Sequence, residues 1–282
     1  MKTAETADRT CSRGFVSLVG AGTGAADLLT IRAARRLADA DLVLHDGLVT
    51  LEVLRLAPAA EHVRVSRRPA EQVITQDEVT ALMIEAAHAG RRVVRLKAGD
   101  SFVLGRGGEE ALALAEAGVP FDIVPGLTSA VVAPAAAGIP VTHRGVASGF
   151  VVVSGHAEDA YAPILEHLPP HVATIVVLMG FAERTRVAAF LVARGWPLDT
   201  PAAIVTNASQ PSERIWTGTL GVIGEALHEA VPEDAHTLII GDVVAVGAEI
   251  AAAMSAPFES RSSDGNERRS QDVRTRASVV CA

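Results

Sequence analysis

The residues best suited to chemistry stand at the ends of short apolar runs. FVSLV (residues 15–19) closes on Gly20-Ala-Gly-Thr-Gly24, and DLVLHD (41–46) ends on Asp46. RRVVRLKAGD (91–100) ends on Ala98-Gly99-Asp100, and FDIVPG (121–126) leads on to Leu127-Thr128-Ser129. A glycine loop between a strand and a helix lets backbone approach a nucleotide closely. A carboxylate at the next strand end can take a proton or hold a ribose hydroxyl. The loop reads G-x-G-x-G followed by Ala25, not G-x-G-x-x-G. On this segment alone a nucleotide cofactor and a tight turn without a ligand stay open side by side. No Cys/His cluster has metal spacing, so no metal is expected.

These residues need a scaffold that gathers strand ends, and the pattern around them supplies one. β-Branched runs alternate with Ala-rich helical stretches, which is the α/β signature. Strands are expected over 15–19, 41–46, 62–66, 91–100 and 121–126, with helices over 27–40, 76–90 and 107–118. In an open, mostly parallel sheet the carboxyl ends of the strands share one edge, where ligands bind. Gly20, Asp46, Asp100 and Gly126 are therefore expected to be neighbours. The second half offers strands at 149–155, 174–180, 201–206, 214–220 and 236–244, and helical segments near 185–194 and 222–230. The expected organisation is a disordered tail at 1–13, an N-terminal α/β domain at 14–145, a C-terminal α/β domain at 146–255, and a disordered tail at 256–282. Residues 140–148 (PVTHRGVAS) are the expected linker, with a cleft between the two domains.

Composition removes other classes. Of 282 residues 49% are hydrophobic and 4% aromatic, enough aliphatic material for a large core. The formal net charge of −8 argues against a nucleic-acid partner. The only lysines are Lys2 and Lys97. Cys11 and Cys281 stand near opposite ends, which argues against a structural disulfide. The start MKTAETADRT has no apolar run behind its charge, and no apolar stretch is long enough to span a membrane. A cytoplasmic protein without a membrane partner is expected.

An ordered set of motifs then narrows the reading: VGAGTGAADLLT (19–30), ADLVLHDGLV (40–49), VVRLKAGDSFVLGRGGEE (93–110), GVPFDIVPGLTSA (118–130), AAAGIPVTHRG (135–145) and VLMG (177–180). Together, over about residues 15 to 250, they resemble the tetrapyrrole methyltransferase family, and within it most closely the uroporphyrinogen-III C-methyltransferases. The resemblance implies a homodimer of two-domain α/β subunits with S-adenosyl-L-methionine bound in the cleft between domains. It implies a cofactor site of Thr23, Ala98, Gly99, Asp100, Val103, Thr128, Ser129, Met179 and Ala208. It makes Asp46 the proton acceptor. Arg67, the other implied catalytic position, stands where relatives carry a lysine proposed as proton donor. Arginine stays protonated, so gripping a substrate carboxylate suits Arg67 better. Arg106, His143 and Arg144 fall where the tetrapyrrole acceptor is expected, although Arg106 has Glu109 and Glu110 close by as structural partners. His45 and His156 read as structural.

The implied reaction is methylation of uroporphyrinogen III to precorrin-2, on the route to sirohaem or cobalamin. Several departures touch the acceptor side. Thr23 and Ala25 replace the usual Pro and Asp, His45 and Gly47 flank the acid, and residues 66–72 lack the family's Lys and His. A paralogue acting on another corrin precursor or small metabolite is the alternative; a nucleotide-cofactor oxidoreductase or a non-catalytic binder is a further one. A reduced, non-planar acceptor needs few aromatic platforms. Between residues 61 and 106 eight Lys/Arg face six acids, a local basic bias suited to an anion.

Overall fold

The computed structural model describes residues 14–65, 74–226 and 234–255. Its first sheet is wholly parallel, with β1 (Phe15–Gly20), β2 (Leu42–His45), β3 (Glu61–Arg64), β4 (Arg92–Lys97) and β5 (Phe121–Val124) in the order β3-β2-β4-β1-β5. Between the strands run α1 (Ile31–Ala38), α2 (Leu51–Leu54), α3 (Gln76–His88) and α4 (Gly107–Glu116), and α5 (Ser129–Ala136) follows β5. A parallel sheet is covered on both faces, so its strands are apolar at successive positions. The two-residue side-chain period divides them. Val16, Leu18, Leu42, Leu44 and Val93 join Val79, Met83 and Leu114 of α3 and α4. Val19, Val43, Val94 and Leu96 face the other way, toward Leu37 and Val53 of α1 and α2.

Threonines start several of these helices. Thr30, Thr50 and Thr128 accept hydrogen bonds from backbone amides of the first turns of α1, α2 and α5. Thr75 and Glu78 close a reciprocal capping box on α3. Each supplies an acceptor to amides that have no partner within the helix.

The second sheet contains β6 (Phe150–Ser154), β7 (Thr174–Leu178), β8 (Pro201–Thr206), β9 (Arg214–Thr219) and β10 (His236–Ile240), ordered β6-β7-β10-β8-β9. Only β6 and β7 are parallel; β10 runs antiparallel to β7 and β8, and β9 antiparallel to β8. One face packs on α6 (Glu158–Leu165) and α7 (Arg184–Val192) through Tyr161, Leu165 and Leu191. On the other, Ala133 of α5 meets Ala203, Val205 and Ile239, while Ala130 meets Val176 and Leu178. Helix α5 thus follows a strand of the first sheet but packs against the second. That packing fixes the two sheets to each other.

Two expected elements differ. The run 236–244 is not one strand: β10 ends at Ile240, Gly241 takes φ 137°, and α8 (Val243–Ser255) begins. Apolar residues suit a buried strand or helix equally, and the glycine decides. The segment expected as a helix from 222 is a 3-10 run, Leu220–Glu225, and residues 227–233 lie outside the described part. Among the described residues no helix is long and apolar enough to cross a membrane.

Candidate active site

The strand ends of the first sheet converge as the parallel topology requires. Gly22 and Gly99 form a two-hydrogen-bond bridge between the loops after β1 and β4, at 3.1 and 2.8 Å. Gly20, Gly99 and Gly126 touch backbone to backbone. A Cβ on Gly126 would lie 2.2 Å from Gly99 O and 2.6 Å from Gly20 Cα. Asp100 locks this junction, its Oδ2 accepting from Gly126 N at 2.9 Å and its Oδ1 from Phe102 N at 2.8 Å. The glycines therefore serve the meeting of three strand ends. Helix α1 starts only at Ile31, after a 3-10 turn (Ala26–Leu28), so the loop does not open directly onto a helix N-terminus. That is not the geometry of a dinucleotide fingerprint.

Above the junction is a cavity of about 740 Å³, within the range of small-molecule sites. Its floor takes Ala98, Gly99, Asp100 and Val103 from the β4–α4 loop, and Thr128 and Ser129 from the start of α5. Asp46 and Thr23 border it from the loops after β2 and β1, and Met179 and Ala208 from the second sheet. Every residue expected to touch the methyl donor thus lines one cavity, as does the expected proton acceptor. Three rim residues, Leu104, Met179 and Asn207, hold φ values of 54°, 57° and 50°. Left-handed backbone at non-glycine residues costs energy and clusters at functional sites.

Asp46 is firmly held. Its Oδ1 is 2.7 Å from Arg95 Nη2 and its Oδ2 accepts from Ala98 N at 3.3 Å, with about a quarter of the side chain exposed (26%). Arg95 is spent on this arrangement: Nε donates to Glu110 Oε1 at 3.0 Å, and Nη1 to Leu44 O and Leu96 O at 3.3 and 3.4 Å. Lys97, two residues on and on the same face of β4, also donates to Glu110 Oε1 at 3.0 Å, and Gln76 Nε2 does so at 2.8 Å. Burial pushes the Lys97 ammonium below its ordinary range, and the Arg95 charge adds to that. Beside Asp46, burial likewise lowers His45, whose Nδ1 lies 3.1 Å from Asp46 O.

The opposite wall was not expected. Asn207 donates to Asp234 Oδ1 at 2.7 Å and accepts from Ala235 N at 2.9 Å, tying the loop after β8 to the entrance of β10. Burial raises the Asp234 carboxyl, but hydrogen bonds from Asn207 and Arg214 outweigh it, and the net effect is a lowered value. His236 stacks on Phe181 with ring centroids 3.9 Å apart and meets Thr206 Oγ1 at 2.9 Å. At one edge, Thr23 Oγ1 and Ser209 Oγ are 2.6 Å apart and Gln210 Nε2 donates to Thr23 O at 2.8 Å. That clasp joins the loop after β1 to the loop after β8.

The remaining expected residues stand elsewhere. Arg106 is exposed and paired with Glu109 at 2.6 Å, and His143 and Arg144 sit exposed in a turn closed by hydrogen bonds between His143 and Ala147. None of the three lines the cavity. Arg67 lies outside the described residues. Glu110, Arg95, Lys97 and Gln76 were missed. A signal for three of them was present: two cations at alternate positions of a strand covered on both faces demand a buried acid.

Fold and site together define an α/β protein whose two sheets supply loops to one ligand cavity. A family model described as Tetrapyrrole (Corrin/Porphyrin) Methylases matches residues 16–224. The chain belongs to this family. Siroheme synthase 1 of Klebsiella pneumoniae is 42% identical over 240 residues, 84% of this chain and 50% of that protein. The chain thus spans about half the length of the curated relatives it matches. A uroporphyrin-III-C-methyltransferase from Thermus thermophilus has a crystal structure that superposes with a TM-score of 0.69 at 42% identity, covering 84% of this chain and 96% of that one. A second structure from that organism, complexed with S-adenyl homocysteine, gives a TM-score of 0.69 at 40% identity, covering 83% and 100%.

Proposed function

We propose that the chain is an S-adenosyl-L-methionine-dependent C-methyltransferase that converts uroporphyrinogen III to precorrin-2. The observation that carries the reading is the single cavity that gathers Asp46 with the nine residues expected at the donor. The relative from Thermus thermophilus holds S-adenyl homocysteine, which is the donor after loss of its methyl group. The cavity suits that molecule. A Cβ on Gly99 would stand 3.8 Å from Thr128 Cα and 3.9 Å from Ser129 N, so its absence clears the approach to backbone at the start of α5. Met179 and Val103 offer apolar surface, and Thr128, Ser129 and backbone groups offer polar partners.

The bound donor supplies an electrophilic methyl on a sulfonium. In-line transfer asks the protein for alignment and exclusion of water more than for a covalent nucleophile. Asp46 supplies the remaining chemistry: held by Arg95 and the Ala98 amide with one side toward the cavity, it takes the proton that the macrocycle must lose from a position other than the methylated carbon, which becomes quaternary and carries no hydrogen. Arg67 is proposed to hold an acceptor carboxylate. The proposed boundaries are an N-terminal domain to residue 145 and a C-terminal domain from 146. The resemblance also carries a homodimer acting in the cytoplasm, and sedimentation equilibrium at micromolar concentration tests the dimer.

The test of function is incubation with uroporphyrinogen III and methyl-labelled donor beside an active control enzyme. Label in the tetrapyrrole is the expected result. No label there, with the control active, overturns the assignment of acceptor; no donor binding by calorimetry overturns the cofactor.

A further inference from the structure

The charges behind Asp46 form a closed set that the proposed reaction does not itself use. Glu110 is fully buried and Arg95 nearly so, at 0% and 4% exposure of their side chains. Glu110 Oε1 takes all three donors, from Arg95, Lys97 and Gln76, while Oε2 has no hydrogen-bond partner among the described residues. Fold stability alone is a weak reason for such a cluster, because well-packed apolar residues of similar volume do as well or better. The cluster has a direction: it reaches the cavity through the Arg95–Asp46 contact.

We propose that Glu110 is a positioning residue for Asp46: acting through Arg95, with its own charge offset by Lys97, it fixes where the carboxylate stands and balances the charge behind it. The proposal rests on the reading of Asp46 as proton acceptor. Glu110 occupies the Nε edge of the guanidinium, and the Leu44 and Leu96 carbonyls hold Nη1. Nη2 is thereby aimed at Asp46. Without Glu110, two cations face Asp46 uncompensated. They favour its ionised form and make it a weaker base. Without Lys97 the imbalance has the opposite sign. Among the described residues, the other charged or titratable groups acting on this set include His45, on the Asp46 backbone, His62 and Arg64 on β3 beside His45, Glu109 of α4, which acts on Lys97, and Arg106 at the start of α4, which acts on Glu110.

The test is the pH profile of kcat for the full chain with uroporphyrinogen III and labelled donor. Glu110→Gln should lower maximal turnover at least tenfold and move the acid limb down by about one pH unit or more, since both carboxylates contact one guanidinium and a unit charge closer than about 12 Å at an effective dielectric of about 20 exceeds that shift. Lys97→Met should move that limb up, and Glu110→Gln/Lys97→Met should return it close to the parent. Donor affinity by calorimetry should stay within threefold throughout. Adding Glu110→Gln to Asp46→Asn should cost no further turnover. If Glu110→Gln does not fold, the limb shift in Lys97→Met and its reversal in the charge-neutral double variant carry the test. An inactive Asp46→Asn beside variants with unmoved limbs overturns the positioning role and leaves Asp46 as base. Parent-like turnover in Asp46→Asn overturns both.

Discussion

Gly126→Ala is the most direct probe of how the first sheet builds its site. Gly126 does not need a glycine-only backbone angle, so the effect of alanine there is one of space. The added Cβ would stand 2.2 Å from Gly99 O and 2.6 Å from both Gly20 C and Gly20 Cα. None of these atoms belongs to a side chain that can swing away. Gly99 is bridged to Gly22 through both its backbone groups, and Gly20 is in register with Lys97 on β4. Relief must come from moving the end of β5. Overpacking of this kind costs about 1–3 kcal/mol. The same movement weakens the 2.9 Å bond from Gly126 N to the Asp100 carboxylate, and hydrogen bonds to charged groups contribute about 1.5–3 kcal/mol. A destabilisation of about 2.5–6 kcal/mol follows. Urea unfolding monitored by circular dichroism measures it, and calorimetric titration with S-adenosyl-L-methionine should show weakened binding as Thr128 and Ser129 shift. Gly108→Ala is the control. Nothing lies within 4 Å of its added Cβ, and alanine in a helix gains up to about 1 kcal/mol over glycine. A Gly126→Ala protein within about 1 kcal/mol of the parent, with unchanged donor affinity, would show that the three strand ends do not need this close backbone approach.

Gly99→Ala tests the floor of the cavity: at φ 69° a Cβ costs about 1–2 kcal/mol, and the methyl group should weaken donor binding tenfold or more by calorimetry. Arg106→Ala should change stability by less than about 1 kcal/mol, since it breaks one exposed pair, and KM for the acceptor should not rise; a tenfold rise would instead support the expected place of Arg106 at the acceptor. Asp234→Asn probes the opposite wall through pH. The folded carboxyl lies below its unfolded value, so its contribution is complete above about pH 5 and fades as pH falls through the folded value. The gap in unfolding free energy between parent and variant should therefore close toward acid in a urea series, and a gap constant from pH 7 to 2.5 would contradict that sign.

The alternation of strands and helices, the meeting of Gly20, Asp46, Asp100 and Gly126 at one sheet edge, and the family motifs are all legible in the amino-acid order. These are local or nearly local. A two-residue period, a glycine after a strand and a threonine before a helix act over a few residues, and parallel topology then carries the strand ends to one side. Tertiary structure decided what depends on partners distant in the chain. Glu109 and Glu110 are adjacent and identical in type, yet one turns out to exposed Arg106 and the other in to Arg95 and Lys97. Helix periodicity places them on different faces, but only the packing of α4 on β4 says which face is buried. The strand expected through 244 stopped at a single glycine angle, which composition does not reveal. The wall of Asn207, Asp234 and His236 joins residues that antiparallel pairing of β8 and β10 brings together, and no spacing in the chain encodes that register. The strand-end residues that line the cavity were readable because the motifs keep small residues in fixed order at those turns. The charges behind Asp46 were not, because buried charges are set by who lies across the sheet.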